Sequence, residues 1–358
     1  MLLALAVGCS EKAQNPSQPE AASQLVVLGK ENPQIRAVME VQDRHTPNLM
    51  AMKNVIGTAT GLTAEGQPAI IVYVLSDLGS QTLAKGQALP QTIEGIPVVV
   101  EVTEQFRAMK GGGGGVSHTA KQTPPIQLGT SGGWRHDLAN GYCCGGTLGA
   151  LISKGGQQYI LSNYHVLEAD IVSGGNSRVA QAGDPVIQPA LIDVNCNAAN
   201  AQDVARLSGI KSLPGSNVDA AIAQVISGMV RTDGAILEVG TLSASTVGAS
   251  LNQAVKKSGR TTGLTRSTVS GLNATVSVAY DNECAGGSAF TKTFTGQIVI
   301  KNRGSSFLNS GDSGSLMVED VTTNPRAVGL LFAGSSTSAI ANPIGQVLSF
   351  FGASMVGN

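Results

Sequence analysis

Residues 309–319 read NSGDSGSLMVE, with Ser313 between Asp312 and Gly314 and with Gly311 two positions before it. A tetrahedral oxyanion is held when two backbone N–H groups converge on one point, and a glycine-rich turn reaches that shape without Cβ clashes. Gly311 and Ser313 are placed to supply those donors. The apolar run Leu316-Met317-Val318 that follows predicts a strand that holds the turn rigid and leaves the Ser313 hydroxyl exposed at its start.

A serine hydroxyl is a poor nucleophile at neutral pH and needs a base beside it. The chain has 4 histidines. His45 falls in a helical stretch, His118 in a glycine-rich linker and His136 in the loop GGWRHD, whereas His165 ends the strand-like YILSNYHVLEA (159–169). A base flanked by packed Ile160, Leu161, Val166 and Leu167 is held still, as proton transfer over hydrogen-bond distance requires. His165 is therefore the predicted base, with activity expected to rise with pH as its imidazole loses a proton. The imidazole in turn needs a carboxylate to orient it and offset its developing charge. Asp219, directly before the apolar run of GSNVDAAIAQV (215–225), enters the core, where a lone carboxylate would be costly. Asp193, Asp203 and Asp233 are the alternatives.

The order His, Asp, Ser, with GTLGALI (146–152) ahead of SNYHVL, then VDAAIA, GDSGSL and AVGLLFAG (327–334), resembles the trypsin-like (chymotrypsin-fold) serine peptidases over roughly residues 127–355. Within them it is most similar to bacterial members that carry a small α+β domain ahead of the protease and a KSGRTTGLTRSTV-type strand (257–269). The resemblance implies a mainly β fold, a double six-stranded β-barrel preceded by a small α+β domain. It also implies peptide-bond hydrolysis through an acyl-enzyme, with no cofactor, by Ser313 as nucleophile, His165 as base, Asp219 as its orienter and Gly311 with Ser313 as oxyanion donors. Phe307 would sit near the base of the primary pocket, and Phe332-Ala333-Gly334 would pair with substrate backbone. With no acidic residue at that pocket base, small or medium apolar side chains are expected before the scissile bond. No I-V-G-G-like activation sequence precedes the barrel, so Asp312, which pairs with a new N-terminus in animal enzymes, needs another partner, a backbone group for instance.

The remaining chain fits this reading. Charged residues are 13% and aromatics 4% of 358, with 45 glycines, a composition of short strands and tight turns. A net charge of −1 without Lys/Arg clusters gives no footprint for nucleic acid. Residues 1–9, MLLALAVGC, read as an export signal, ending either at a lipidated Cys9 that would attach the chain to a membrane or as a clipped secretory signal. Either implies a periplasmic, secreted or envelope-anchored protein. Residues 10–24 read as a flexible tether. Residues 25–106 read as a small α+β domain: a helical stretch over 33–55 broken near Thr46-Pro47, then VIGTATGL, PAIIVYVL and IPVVVEVTE as strands. Residues 107–126, with five consecutive glycines and Pro124-Pro125, form a linker, and 127–355 the protease domain.

Cys143, Cys144, Cys196 and Cys284 are expected in disulfides, the adjacent pair each reaching a distant partner. Their spacing does not suit a metal site. Arg260-Thr261-Thr262 reads as structural. Other functions consistent with the sequence are a catalytically silent peptide-binding module and an intracellular stress or defence protease. The oligomeric state is not legible.

Overall fold

The computed structural model describes residues 26–75, 89–108, 116–139, 142–168, 180–280, 290–302, 304 and 306–358. Cys9, the signal and the tether lie outside this set, as do Cys284 and the five consecutive glycines at 111–115. The fold is mainly β, with two barrel-like sheets.

In the first sheet β5 (Thr130–Trp134), β6 (Gly146–Leu148), β7 (Ala150–Lys154), β8 (Gln157–Ser162), β9 (Pro185–Gln188), β10 (Gln202–Leu207) and β11 (Ala221–Val225) run in the order β6-β5-β9-β10-β11-β8-β7, with a short strand, Ser354–Met355, against β7. β6 and β7 are halves of one strand interrupted at Gly149, one paired with β5 and the other with β8, so the ring closes. Its interior is aliphatic: Leu148, Leu151, Ile160, Val186, Val204 and Ile222 are buried together, the alternation of inward side chains that a closed sheet needs.

The second sheet holds β12 (Ala254–Gly259), β13 (Gly263–Tyr280), β14 (Phe290–Lys301), β15 (Leu316–Glu319), β16 (Ala327–Gly334) and β17 (Ser338–Pro343) in the order β12-β15-β16-β17-β14-β13, and β12 pairs back onto β13 to close it. Here the sheet does not stop at its own ring. β1 (Val55–Leu62) pairs antiparallel with β13, opposing Thr60 to Leu272 and Thr58 to Thr275. β2 (Pro68–Leu75) and β3 (Ile96–Thr103) extend the same sheet outward. The α+β segment read as a domain of its own is thus hydrogen-bonded into the second barrel.

Helix α1 (Pro33–Met50) lies on one face of β1–β3, packing Val38, Val41 and Leu49 against Val55, Ile70 and Val72. Asn32 caps it by accepting from the Gln34 and Ile35 N–H groups, as an N-cap side chain should. The break expected at Thr46-Pro47 is absent, and the helix runs through Pro47. The proline is in the last turn, where the Ala51 N–H still reaches the Pro47 carbonyl and the Thr46 hydroxyl bonds the Gln42 carbonyl at 2.8 Å. Only a short stretch of helix follows it to be disturbed. Buried Gln42 ties the helix to both neighbours, donating to the Asn273 carbonyl at 2.9 Å and accepting from the Thr60 hydroxyl at 2.8 Å.

At Gly149 the first barrel meets the loop after Ser313. A Cβ there would run into the Gly314 carbonyl oxygen, and Gly314 has φ +91° with the Ser162 hydroxyl pressed against it. Close approach of two backbones, with no give in either, is what glycine permits. Gly149→Ala is expected to cost at least about 1–3 kcal/mol through overpacking, measured as a lower urea midpoint at unchanged slope.

Candidate active site

Asp219 stands two residues before β11 and is fully buried. Its carboxylate accepts from donors on both barrels. Oδ1 takes the Tyr164 N–H at 2.8 Å and the His165 N–H at 3.3 Å, and Oδ2 takes His165 Nδ1 at 2.6 Å and the Tyr280 hydroxyl at 2.9 Å. The Asn163 amide donates to the Asp219 carbonyl at 2.7 Å, and the Asp219 N–H donates to Asn342 Oδ1 at 2.9 Å. A buried charge is tolerable when its lone pairs are met in this way. Burial and the adjacent Asp219 push the Tyr280 phenol well above its ordinary range, so it remains a donor.

β8 ends at Ser162, and His165 sits in a single helical turn, Tyr164–Leu167, rather than at the strand end expected from sequence. Asp219 is the reason, because its carboxylate accepts the first N–H groups of that turn. The His165 ring packs edge-on against Tyr280 at 5.9 Å between centroids. Its Nε2 is buried with no hydrogen-bond partner among the described residues.

Ser313 begins a turn that reaches the neighbourhood of Val166, the residue after His165. Its carbonyl accepts the Thr147 N–H at 2.8 Å, and a Cβ on Gly146 would touch both the Val166 side chain and the Ser313 carbonyl oxygen. The Ser313 hydroxyl donates to the Phe332 carbonyl at 3.1 Å, not to the imidazole. Gly311 has φ +97°, which a residue with a side chain rarely adopts, and its carbonyl accepts the Thr147 hydroxyl at 3.0 Å.

Asp312 finds its partners within the chain. Its carboxylate accepts the N–H groups of Thr261 at 2.9 Å, Thr262 at 3.1 Å and Asn309 at 3.0 Å, the Thr262 hydroxyl at 2.6 Å, and Lys257 Nζ at 3.3 Å. Lys257 is wholly buried, also donating to the Thr262 hydroxyl and the Gly263 carbonyl. Burial pulls its ammonium below its usual value, and Asp312 opposes that pull. Arg260 grips Asp193 with two nitrogens, at 2.7 and 2.5 Å, while its N–H donates to the Thr147 hydroxyl at 3.0 Å. Asp193 is thereby committed to Arg260 and Ser131, Asp203 to Arg135 and Arg206, and Asp233 to Arg231; of the four aspartates considered, Asp219 is the one beside His165.

Cys143 is bonded to Cys196, and Cys144 is also in a disulfide. Phe332 and Ala333 lie in the buried cluster that holds Tyr164 and Tyr280. Phe307 packs in the second barrel with Leu251, Val255 and Met317. No group of His, Cys, Asp and Glu suited to a metal occurs among the described residues. Sequence reasoning missed Tyr280, Asn342, Lys257 and Glu168. Only Lys257 left a trace, as the first residue of the stretch 257–269 read as a strand.

The Nal1 C-terminal domain family matches residues 210–342. No curated protein matches the chain. Among solved structures it is similar to a glutamic-acid-specific serine protease, at 20% identity over 64% of this chain and 100% of that one with a TM-score of 0.41. It is also similar to Thermobifida fusca protease A, at 20% over 65% and 99% with 0.42, and to Cellulomonas bogoriensis chymotrypsin, at 19% over 65% and 99% with 0.39.

Two predictions follow from the buried charges. Lys257→Met leaves Asp312 without its cation and is expected to destabilise the chain by about 3–5 kcal/mol, read by chemical denaturation. Glu168, next after the His165 turn, is buried with both carboxyl oxygens unpartnered among the described residues. Burial pushes it up to about 8, with Lys211 opposing. The folded chain therefore holds a proton that the unfolded chain releases near ~4.3. Its contribution to stability is complete below that value and is lost as pH rises through about 8. Thermal melts should show Glu168→Gln gaining on the native chain steadily from about pH 5 to about pH 8, and no further gain above that.

Proposed function

We propose that the chain is an exported serine endopeptidase acting on protein or peptide substrates. The observation that carries this is the buried His165–Asp219 pair, whose second imidazole nitrogen has no partner among the described residues, with the turn that holds Ser313 packed near Val166, the residue after His165. In the reaction the Ser313 hydroxyl leaves the Phe332 carbonyl and gives its proton to His165 Nε2 as its oxygen attacks the substrate carbonyl carbon. The exchange replaces one hydrogen bond with another. Asp219 holds the imidazole by Nδ1 and offsets the charge it gains. The Gly311 and Ser313 N–H groups receive the oxyanion, and His165 then returns the proton to the leaving amine. The acyl-enzyme is hydrolysed by the same steps with water in the place of the nucleophile.

The Lys257–Asp312 pair supports a turn set without insertion of a new N-terminus. Export is supported by the disulfides, which form in oxidising compartments; no helix among the described residues is long and apolar enough to cross a membrane. A second reading, a silent peptide-binding module, is favoured by the Ser313 hydroxyl resting on the Phe332 carbonyl.

A fluorophosphonate probe separates the two. Covalent labelling is expected in the native chain, to vanish in Ser313→Ala and to slow by up to about six orders of magnitude in His165→Ala. A native chain that stays unlabelled while binding peptides would establish the silent module.

A further inference from the structure

β15 pairs with β16 only as far as Leu330. There the chain turns away through Ser313–Ser315, the Leu331 N–H bonding the Ser315 carbonyl and the Gly314 N–H the Leu331 carbonyl. On its other side β16 remains paired with β17, opposing Ala333 to Ile340 and Gly334 to Ala339. Residues 332–334 therefore offer one open edge, running away from Ser313. Under the reading proposed above, that edge is where a substrate backbone adds as an extra strand.

The edge is already taken. β4 (Phe106–Ala108), the last described residues before the glycine run, pairs antiparallel with it, Ala108 opposite Ala333 and Arg107 opposite Gly334. On its far side β4 pairs parallel with β13, Phe106 opposite Val278. Its carboxyl end points toward Phe332, whose carbonyl holds the Ser313 hydroxyl. The approach to it is fastened as well. Thr103 hydrogen-bonds the hydroxyls of Ser335 and Thr337, each at 2.7 Å, and Gln105 donates to the Ser277 carbonyl at 2.8 Å. Phe106 is fully buried, edge-on to Tyr73 at 5.5 Å between centroids and clustered with Phe332 and Ala333.

We propose that Phe106–Ala108 is a built-in occupant of the peptide-binding edge, so that the full-length chain holds its own site closed and a substrate binds only by displacing this strand. The inference rests on the peptidase reading and names the regulation of that same site. A strand tethered through a folded segment competes at an effective concentration of about millimolar or more, so dilute peptides lose to it. Direction and register favour this over a purely structural filler, because β4 runs antiparallel along the edge and heads for the nucleophile, as the unprimed side of a substrate would.

The test uses the full-length chain with Arg107→Pro and, separately, Ala108→Pro, each removing one backbone donor from β4. Hydrolysis of acetyl-Ala-Ala-Ala-p-nitroanilide is expected to rise in kcat/KM by at least ~10-fold in one or both. Labelling by a small fluorophosphonate, which needs no strand pairing, should change by less than ~2-fold. Unchanged peptide hydrolysis with labelling intact overturns the inference and leaves the peptidase reading standing. Absence of labelling in every chain, the native one included, overturns both. If the proline variants do not fold, amide exchange in the native chain decides. Saturation with an acetyl-Ala-Ala-boronoalanine inhibitor should accelerate exchange at Phe106–Ala108, and protection unchanged under full inhibition would sink the proposal.

Discussion

A carboxylate taken out of water must be met by donors or it will not stay ionised, and at Asp219 those donors come from different parts of the chain. The Tyr164 and His165 N–H groups and the His165 ring belong to the first barrel and the Tyr280 hydroxyl to the end of β13 in the second, while Asn342 of β17 accepts the Asp219 N–H. Neither barrel alone can satisfy this residue. Their docking therefore carries a penalty for misalignment that apolar packing, which is non-directional, would not impose. The same constraint sets the angle of the imidazole and curls its backbone into a helical turn.

The serine-bearing turn is governed by a second buried charge. Asp312 gathers backbone donors from two neighbouring segments together with the ammonium of Lys257. Thr147 then links the barrels, since its hydroxyl both accepts from the Arg260 N–H and donates to the Gly311 carbonyl. Arg260 is held in place by Asp193, three residues before disulfide-bonded Cys196. The turn is thereby braced by covalent, ionic and backbone contacts, the kind of support under which a reactive geometry persists with little room to relax.

The amino-terminal segment has a part in the architecture that its composition did not announce. β13 is an 18-residue strand, long enough to close its own barrel and to carry β1 on a further stretch, so the α+β segment shares its hydrogen-bond ladder. Through Phe106 and Thr103 that segment reaches the open edge beside Ser313.

Local chemistry sufficed for the β-rich class, the helix beginning at Pro33 and the strands over VIGTATGL and PAIIVYVL, because turn and strand patterns are written in a few adjacent residues; of the three candidates His165, Asp219 and Ser313, the first two are in contact in the fold. It failed at Pro47, where the proline proved tolerable because the helix ends within a turn of it. Nor did it show that β1 would share a ladder with β13, since strand pairing across hundreds of residues leaves no local mark. Partners chosen by three-dimensional proximity stayed hidden for the same reason: Tyr280 for Asp219, Lys257 for Asp312, β4 for the edge of β16. Residue types and their order set which groups had to be buried; only the folded chain decided which distant donors and strands would meet them, because those contacts arise when two barrels and a shared sheet close on one another.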